Sequence, residues 1–233
     1  MYRMNPAPLL AALLPALILL IRVYRLDKIE KEPRSLLWKL AAFGALSGLA
    51  ASVLEAGLLR LLGLWLPEGG TGYLLIENFL VVALVEELCK RWPVLRFAWR
   101  HPAFDYRFDA VVYCVFSALG FAALENVFYV LNYGMSVAVS RALLSVPGHF
   151  FFAVYMGVYL GEAKQAERDG ELYEKDRFLR ASIAVPVLMH GFWDFSLSVP
   201  SRLMTVAFYV FVIVFFLSAN HRLRVASETD GRL

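Results

Sequence analysis

The sequence predicts an all-α fold, a polytopic bundle of about seven transmembrane helices with the N-terminus outside and the C-terminus in the cytoplasm. Three observations predict it: the composition, the length of the apolar runs and the distribution of Lys and Arg. Hydrophobic residues make up 60% of the chain and charged residues only 18%, with a mean hydropathy of +0.59. A surface that faces water cannot accommodate this composition. One integral-membrane domain, residues 1–233, is therefore predicted.

The apolar runs are long enough to cross a bilayer core of about 30 Å. The first, 8–24, has no charge before Arg22 and no small-residue cleavage site after it, so it is predicted to be a helix that stays in the membrane rather than a signal peptide. Further runs predict the other six spans, about 36–65, 73–95, 109–131, 137–160, 181–199 and 204–219.

Lys and Arg collect in the loops after the first, third and fifth spans and are nearly absent from the loops between them. The basic residues include Arg25, Lys28 and Lys31 in the first of these loops, Arg96, Arg100 and Arg107 in the second, and Lys164, Arg168 and Lys175 in the third. This alternation places the basic loops in the cytoplasm. The net charge of +3 is too small to indicate nucleic acid, so the bilayer and membrane-anchored proteins are the predicted partners.

Ionisable and polar residues inside the predicted spans are the candidates for function, because each charge costs about 2.5–3.5 kcal/mol on insertion scales. They are Glu86, Glu87 and Lys90 in the third span, Glu125 and Asn126 in the fourth, His149 in the fifth, and His190 and Asp194 in the sixth. Helix rise places the acids and imidazoles between the midplane and the outer leaflet. We therefore expect four helices to point them into one polar pocket.

Each of these residues also has a structural interpretation. Glu86 and Lys90, four residues apart, are typical of an ion pair that stabilises a helix, and a single buried histidine usually binds a neighbouring carbonyl. The conjunction of four such helices at one depth favours a functional site. Glu55 stands alone in the second span and is interpreted as a polar contact between helices, with Arg60 nearby.

At these residues the sequence resembles the PrsW family of intramembrane proteases. The strings that carry the resemblance are DKIEKEP at 27–33, VEELCK with Glu86, Glu87 and Lys90, FAALEN with Glu125 and Asn126, PGHFFFAVYMG around His149, and HGFWD from His190 to Asp194. The resemblance covers almost the whole chain. Glu125 and Asp194 distinguish it from the related type II CAAX prenyl endopeptidases and Abi-type membrane proteins, which carry other residues there.

The resemblance implies a glutamate-dependent endopeptidase of the plasma membrane of a bacterium or archaeon. The best-known role in the family is the first cut of a membrane-anchored anti-sigma factor.

Amide hydrolysis needs an activated water, a donor for the oxyanion and an acid for the leaving nitrogen. We assign Glu86 as the base, and Glu87 as its assistant or as an anchor through Lys90. His190, oriented by Asp194, is assigned to stabilise the oxyanion or pass the proton onward. The pocket is completed by Glu125, Asn126 and His149.

We expect no cofactor, with zinc as the alternative. The HExxH motif is absent, and Lys90, one turn from Glu86, would put positive charge beside a cation. The residue types nevertheless suit zinc. The ligands would then be Glu86, Glu125, His149 and His190.

Two other functions fit an apolar chain with buried acids. A proton- or ion-coupled transporter would use them as a relay, although the chain has no convincing internal repeat. A non-catalytic scaffold would bind other membrane helices through Gly44 and Gly48, which are spaced as GxxxG.

Overall fold

The fold is described for residues 7–233 of a computed structural model, and it is built almost entirely of helices. The α-helices are α1 Ala7–Leu26, α2 Arg34–Gly63, α3 Thr71–Ile76, α4 Leu84–Pro93, α5 Asp109–Tyr133, α6 Ser136–Ser140, α7 Val146–Asp169, α8 Leu172–Ser198 and α9 Arg202–Glu228. The all-α prediction is confirmed.

Three π-helical segments join some of these helices without a break: Glu77–Ala83 and Val94–Ala98 on either side of α4, and Arg141–Ser145 between α6 and α7. The chain therefore forms one long helix over 71–98 and another over 136–169. π-Helical turns are rare and often lie beside functional sites. Here Glu77–Ala83 comes just before Glu86, and Arg141–Ser145 just before His149.

Five helices are long and apolar enough to cross a membrane: α1, α2, α5, the 136–169 helix and α9. The two long helices outside this set, 71–98 and α8, carry the polar residues that single out the candidate site. Those polar residues lower the mean hydropathy of the two helices. A low hydropathy caused by the residues of a site does not indicate that a helix lies outside the membrane. The structure thus supports five spans, and the other two stay predictions.

Helices α5 and α7 form the centre of the bundle. Their apolar stretches are 67% buried, whereas those of α1, α2 and α9 are only 17–22% buried and expose long rows of Leu, Ile and Val. In a bilayer the outer helices would bury these rows in lipid. Polar residues in the buried parts of α5 and α7 therefore need partners within the chain.

Helices α2 and α5 approach each other backbone to backbone. A Cβ atom at Gly44 would collide with the carbonyl of Ser117, and one at Gly120 with the carbonyl of Ala41. Small residues permit this kind of contact between membrane helices. Gly44 of the GxxxG pattern is therefore used inside the chain, which leaves the scaffold hypothesis without its binding surface.

Candidate active site

The ammonium group of Lys90 is the centre of the candidate site. It lies 2.9 Å from Glu86 Oε2, 2.8 Å from Glu87 Oε1 and 2.8 Å from His149 Nδ1, and the side chain is fully buried. Both glutamates precede Lys90 by about one turn, so the predicted ion pair of Glu86 and Lys90 is present. A lysine ammonium has three protons, and these three acceptors satisfy all of them. The cation is buried without an unpaired proton.

The contact with Lys90 fixes the tautomer of His149. Because Nδ1 accepts from the ammonium, the imidazole proton lies on Nε2, which donates to Glu125 Oε2 at 3.0 Å. The same oxygen of Glu125 lies 2.9 Å from Arg141 Nη2. The chain of contacts thus runs from α4 through α7 to α5 and back to the π-helical segment before α7.

His190 joins the network from α8. Its Nδ1 lies 2.9 Å from Glu87 Oε1, and its Nε2 lies 3.1 Å from Asp194 Oδ2 and 3.8 Å from Glu86 Oε2. Each ring nitrogen therefore has a carboxylate neighbour, so a doubly protonated imidazole can donate on both sides. The ring is stacked on Phe152 with centroids 4.9 Å apart, which fixes its plane.

A cavity of about 680 Å³ opens beside these residues. Its polar wall contains Glu55, Glu86, Glu125, His149, His190 and Asp194. Glu87 and Lys90 do not line it, and both side chains have 0% exposure, whereas the side chain of Glu86 retains 9%. Of the two adjacent glutamates, Glu86 is the one in reach of the cavity. Glu87 lies behind it and connects Lys90 to His190.

The structure brings together every predicted site residue except Asn126. That side chain is buried and does not line the cavity, and its predicted role in the site stays a prediction. Its amide nitrogen donates to the carbonyl of Ala12 at 2.7 Å, and its oxygen accepts from Arg141 Nε at 2.9 Å. Asn126 supports the site by connecting α1 to α5 and by orienting Arg141.

The sequence interpretation missed three residues of the site. Glu55 lines the cavity, its Oε1 is buried without a hydrogen-bond partner among residues 7–233, and it makes no ion pair with Arg60 in that range. Its interpretation as an isolated contact is wrong. Phe152, whose ring stacks on His190, carries no charge that would have singled it out in the sequence. Arg141, which pairs with Glu125, had the signal that identified the others, since it is a charged residue inside a predicted span.

Three of the buried side chains could hold a metal ion. Glu86, Glu87 and His149 each offer a ligand atom, and these atoms lie within 4.8 Å of one another. The predicted set contained Glu86 and His149 but had Glu125 and His190 in place of Glu87. The ammonium group of Lys90 lies between these three side chains and contacts all of them.

Comparison with known proteins places the chain in a family. The family model described as "PrsW family intramembrane metalloprotease" matches residues 32–219. Proteins named "Protease PrsW" are similar over most of their length. That of Geobacillus kaustophilus (strain HTA426) is 35% identical over 192 residues, 82% of this chain and 80% of the relative. That of Oceanobacillus iheyensis is 34% identical over 219 residues, which are 94% of this chain and 95% of the relative. That of Halalkalibacterium halodurans is 30% identical over 222 residues, which are 95% of this chain and 98% of the relative.

These relatives are bacterial, which gives no support to an archaeal origin. No solved structure matches the chain. The matched residues 32–219 contain every residue of the candidate site, from Glu55 to Asp194. The chain belongs to the PrsW family of intramembrane proteases.

Proposed function

We propose that the protein hydrolyses a peptide bond of a membrane-anchored protein in a bacterial plasma membrane, with a water molecule activated by Glu86. The observation that carries the proposal is the position of Glu86 at the cavity wall, with His190 Nε2 3.8 Å away and the buried pair of Glu87 and Lys90 behind it. A membrane-anchored anti-sigma factor, the substrate that the family resemblance implies, is the first to test.

Glu86 is held so that one carboxylate oxygen is left for water. Lys90 binds Oε2, and the other oxygen has no hydrogen-bond partner among residues 7–233. In the proposed reaction this carboxylate removes a proton from a water in the cavity as the water attacks the scissile carbonyl. The carboxyl group then returns the proton to the leaving nitrogen.

His190 is proposed to stabilise the oxyanion. Its Nδ1 is bound to Glu87, which fixes the ring, and its Nε2 lies at the cavity wall between Asp194 and Glu86. A donor fixed in advance where negative charge develops is worth more in a water-poor site than in water. Lys90 and Glu87, which do not line the cavity, hold these two groups in place without touching the substrate, and His149 at the cavity wall holds Lys90.

The family description implies a metal ion, and the position of Lys90 favours a mechanism without one. Lys90 already places a positive charge at 2.8–2.9 Å from Glu86, Glu87 and His149, the three side chains that could ligate it. A divalent ion in that space would meet the ammonium at contact distance, where like charges repel strongly. We therefore propose that the reaction needs no metal and that Lys90 supplies the positive charge.

The proposed base is tested by replacing Glu86 with a side chain of the same shape. Glu86→Gln should lower cleavage of a co-expressed single-span substrate by about 10²–10⁴-fold, the usual contribution of a general base, while the protein stays inserted and abundant. Glu228→Gln, at an exposed position at the end of α9, is the matched control and should cleave normally. Loss of cleavage only in proportion to lost protein would instead favour a structural role.

Metal dependence is tested on the purified protein in detergent. Cleavage should survive treatment with a strong chelator, because Lys90 already balances Glu86 and Glu87. Activity that disappears and returns only with zinc would contradict the metal-free proposal. Lys90 would then have to leave the site, and Glu86, Glu87 and His149 would be the ligands.

The proposed topology has seven spans, with the 71–98 helix and α8 crossing the membrane and the C-terminus in the cytoplasm. Reporter fusions near Lys31, Arg100 and Asp169 should report the cytoplasm, and those near Gly70 and Tyr133 the outside. A cytoplasmic signal at Gly70 would overturn the seven-span topology.

A further inference from the structure

A second cavity, of about 770 Å³, lies between the end of the 71–98 helix and the start of α8. Five of the residues that line it are basic and one is acidic: Arg91, Arg96, Arg100, Lys175, Arg180 and Asp176. None of them belongs to the candidate active site. The cavity therefore concentrates positive charge between the two helices that carry Glu87 and His190.

Most of this charge has no counter-ion. Lys175 is paired with Glu167 at 2.5 Å, but Arg96, Arg100 and Arg180 are exposed and make no ion pair within residues 7–233. Asp176 is the one acid in the lining. Three guanidinium groups without a counter-ion around a concave surface favour an anion with several oxygen atoms, because each can donate two parallel hydrogen bonds.

Arg91 adds a donor that is already in place. Its Nη2 donates to the carbonyl of Leu179 across the two helices at 3.0 Å, while its Nε is buried and has no partner among residues 7–233. A buried N–H without an acceptor is costly. An anion in the cavity would supply one.

The other walls are apolar, formed by Leu95, Leu179 and Ile183, with Trp99 beside them. The basic residues come from two of the loops that the charge distribution places in the cytoplasm. Tryptophan and arginine are typical of the level at which lipid head groups lie, and basic pockets between helices on the cytoplasmic side bind acidic head groups. Leu95 and Ile183 suit a glycerol backbone or acyl chain better than water.

We propose that this cavity binds the phosphate group of an anionic phospholipid. The head group would be held by Arg96, Arg100 and Arg180, with Arg91 below it. Because the lining comes from both helices, a bound lipid would tie the end of the 71–98 helix to the start of α8. This site is separate from the proposed catalysis, and its test does not depend on cleavage.

The test measures lipid retention by the full chain purified in detergent. Native mass spectrometry should show phosphatidylglycerol retained in preference to phosphatidylcholine. The triple variant Arg96→Gln/Arg100→Gln/Arg180→Gln should lower that preference by at least about tenfold. The matched control is Arg25→Gln/Lys28→Gln/Arg224→Gln, which removes the same charge from exposed residues of basic segments outside the cavity and should keep the preference.

Equal loss in both triple variants would overturn the proposal, because it would show only a general effect of surface charge. An unchanged preference in the cavity variant would overturn it as well. Inorganic phosphate that displaces the lipid at millimolar concentration would show a site for free phosphate and overturn the lipid assignment. If the triple variant does not fold, the single variants Arg100→Gln and Arg180→Gln provide the same comparison with a smaller loss.

Discussion

Two clusters of buried ionisable residues differ in how their charge is balanced. The first is the candidate active site around Lys90. The second, which we call the acidic cluster, contains Asp27, Glu32, Asp109 and Tyr113. Asp109 and Glu125, one from each cluster, are 16 residues apart on α5, which is about 24 Å along the helix.

The acidic cluster contains no cation. Asp27, Glu32 and Asp109 are 1–4% exposed, and none forms an ion pair within residues 7–233. Tyr113 donates to Glu32, and the backbone N–H groups of residues 105 and 106 donate to Asp109 at 3.0 and 2.7 Å. The carboxyl groups of Glu32 and Asp109 also share a hydrogen bond. Burial raises the pKa of Asp27 to about 6 and that of Glu32 to about 7.

The difference shows that buried acids alone do not indicate catalysis. The acidic cluster connects the loop after α1 to α5, and the cavity beside Glu86 does not reach it. The candidate active site instead has a buried ammonium, an arginine and two imidazoles among its acids, and it borders that cavity. A carboxylate at a cavity wall can act as a base on a water molecule there. Carboxyl groups whose pKa burial raises, and which the cavity does not reach, are better suited to a structural role.

The largest expected effect comes from removing the cation. Lys90→Met would leave Glu86 and Glu87 buried without compensation, as in the acidic cluster, and should lower the free energy of unfolding by about 3–5 kcal/mol. Thermal unfolding in detergent measures it, with Lys28→Met at an exposed position as the control. Adding Glu87→Gln should recover part of the loss, because one buried charge fewer is then unpaired. Equal stability of Lys90→Met and the parent protein would contradict the central role of Lys90.

A smaller effect is expected at the edge of the active site. Arg141→Gln removes the cation that pairs with Glu125 at 2.9 Å and should lower kcat/KM for a single-span substrate by about 10–100-fold through loss of positioning. Arg141→Lys keeps the charge but cannot bind Glu125 and Asn126 together, so it should restore only part of the activity. Full activity in Arg141→Gln would show that Glu125 binds and positions His149 without the ion pair to Arg141.

The sequence was sufficient to predict the helices and the convergence of their polar residues. Two signals identify Glu86 with Lys90 and His190 with Asp194: a charged residue in an apolar run, and a spacing of four residues. Both signals can be seen in the sequence because the two members of each pair lie on the same helix. Contacts between side chains on different helices could not be predicted from spacing. That His149 accepts the third proton of Lys90 depends on the distance between α4 and α7. The close contact of α2 with α5 at Gly44 likewise brings Glu55 to the cavity, and no spacing within α2 predicts it.

The smallest expected effect separates the two clusters by their response to pH. The pKa of Asp27 rises from 3.8 to about 6, chiefly because the carboxyl is buried; Lys31 lowers it and Asp230 raises it. A carboxyl that holds its proton more tightly when folded favours the folded state at low pH. This contribution to stability is present below about pH 4 and is lost as the pH rises towards 6. The apparent Tm in detergent should therefore fall over this interval.

Asp27→Asn should reduce the loss of unfolding free energy over this interval by on the order of 1 kcal/mol, because the amide cannot ionise, and the fall in Tm should be correspondingly shallower. Some slope should remain, since Glu32 titrates in the same direction with a pKa of about 7. Glu171→Gln is the matched control, because Glu171 is exposed and lies outside the acidic cluster, so this variant should keep the full slope. A steeper or unchanged slope in Asp27→Asn would show that Asp27 stays ionised when folded. The acidic cluster would then need a cation, as the active site does, and the contrast between the two clusters would be lost.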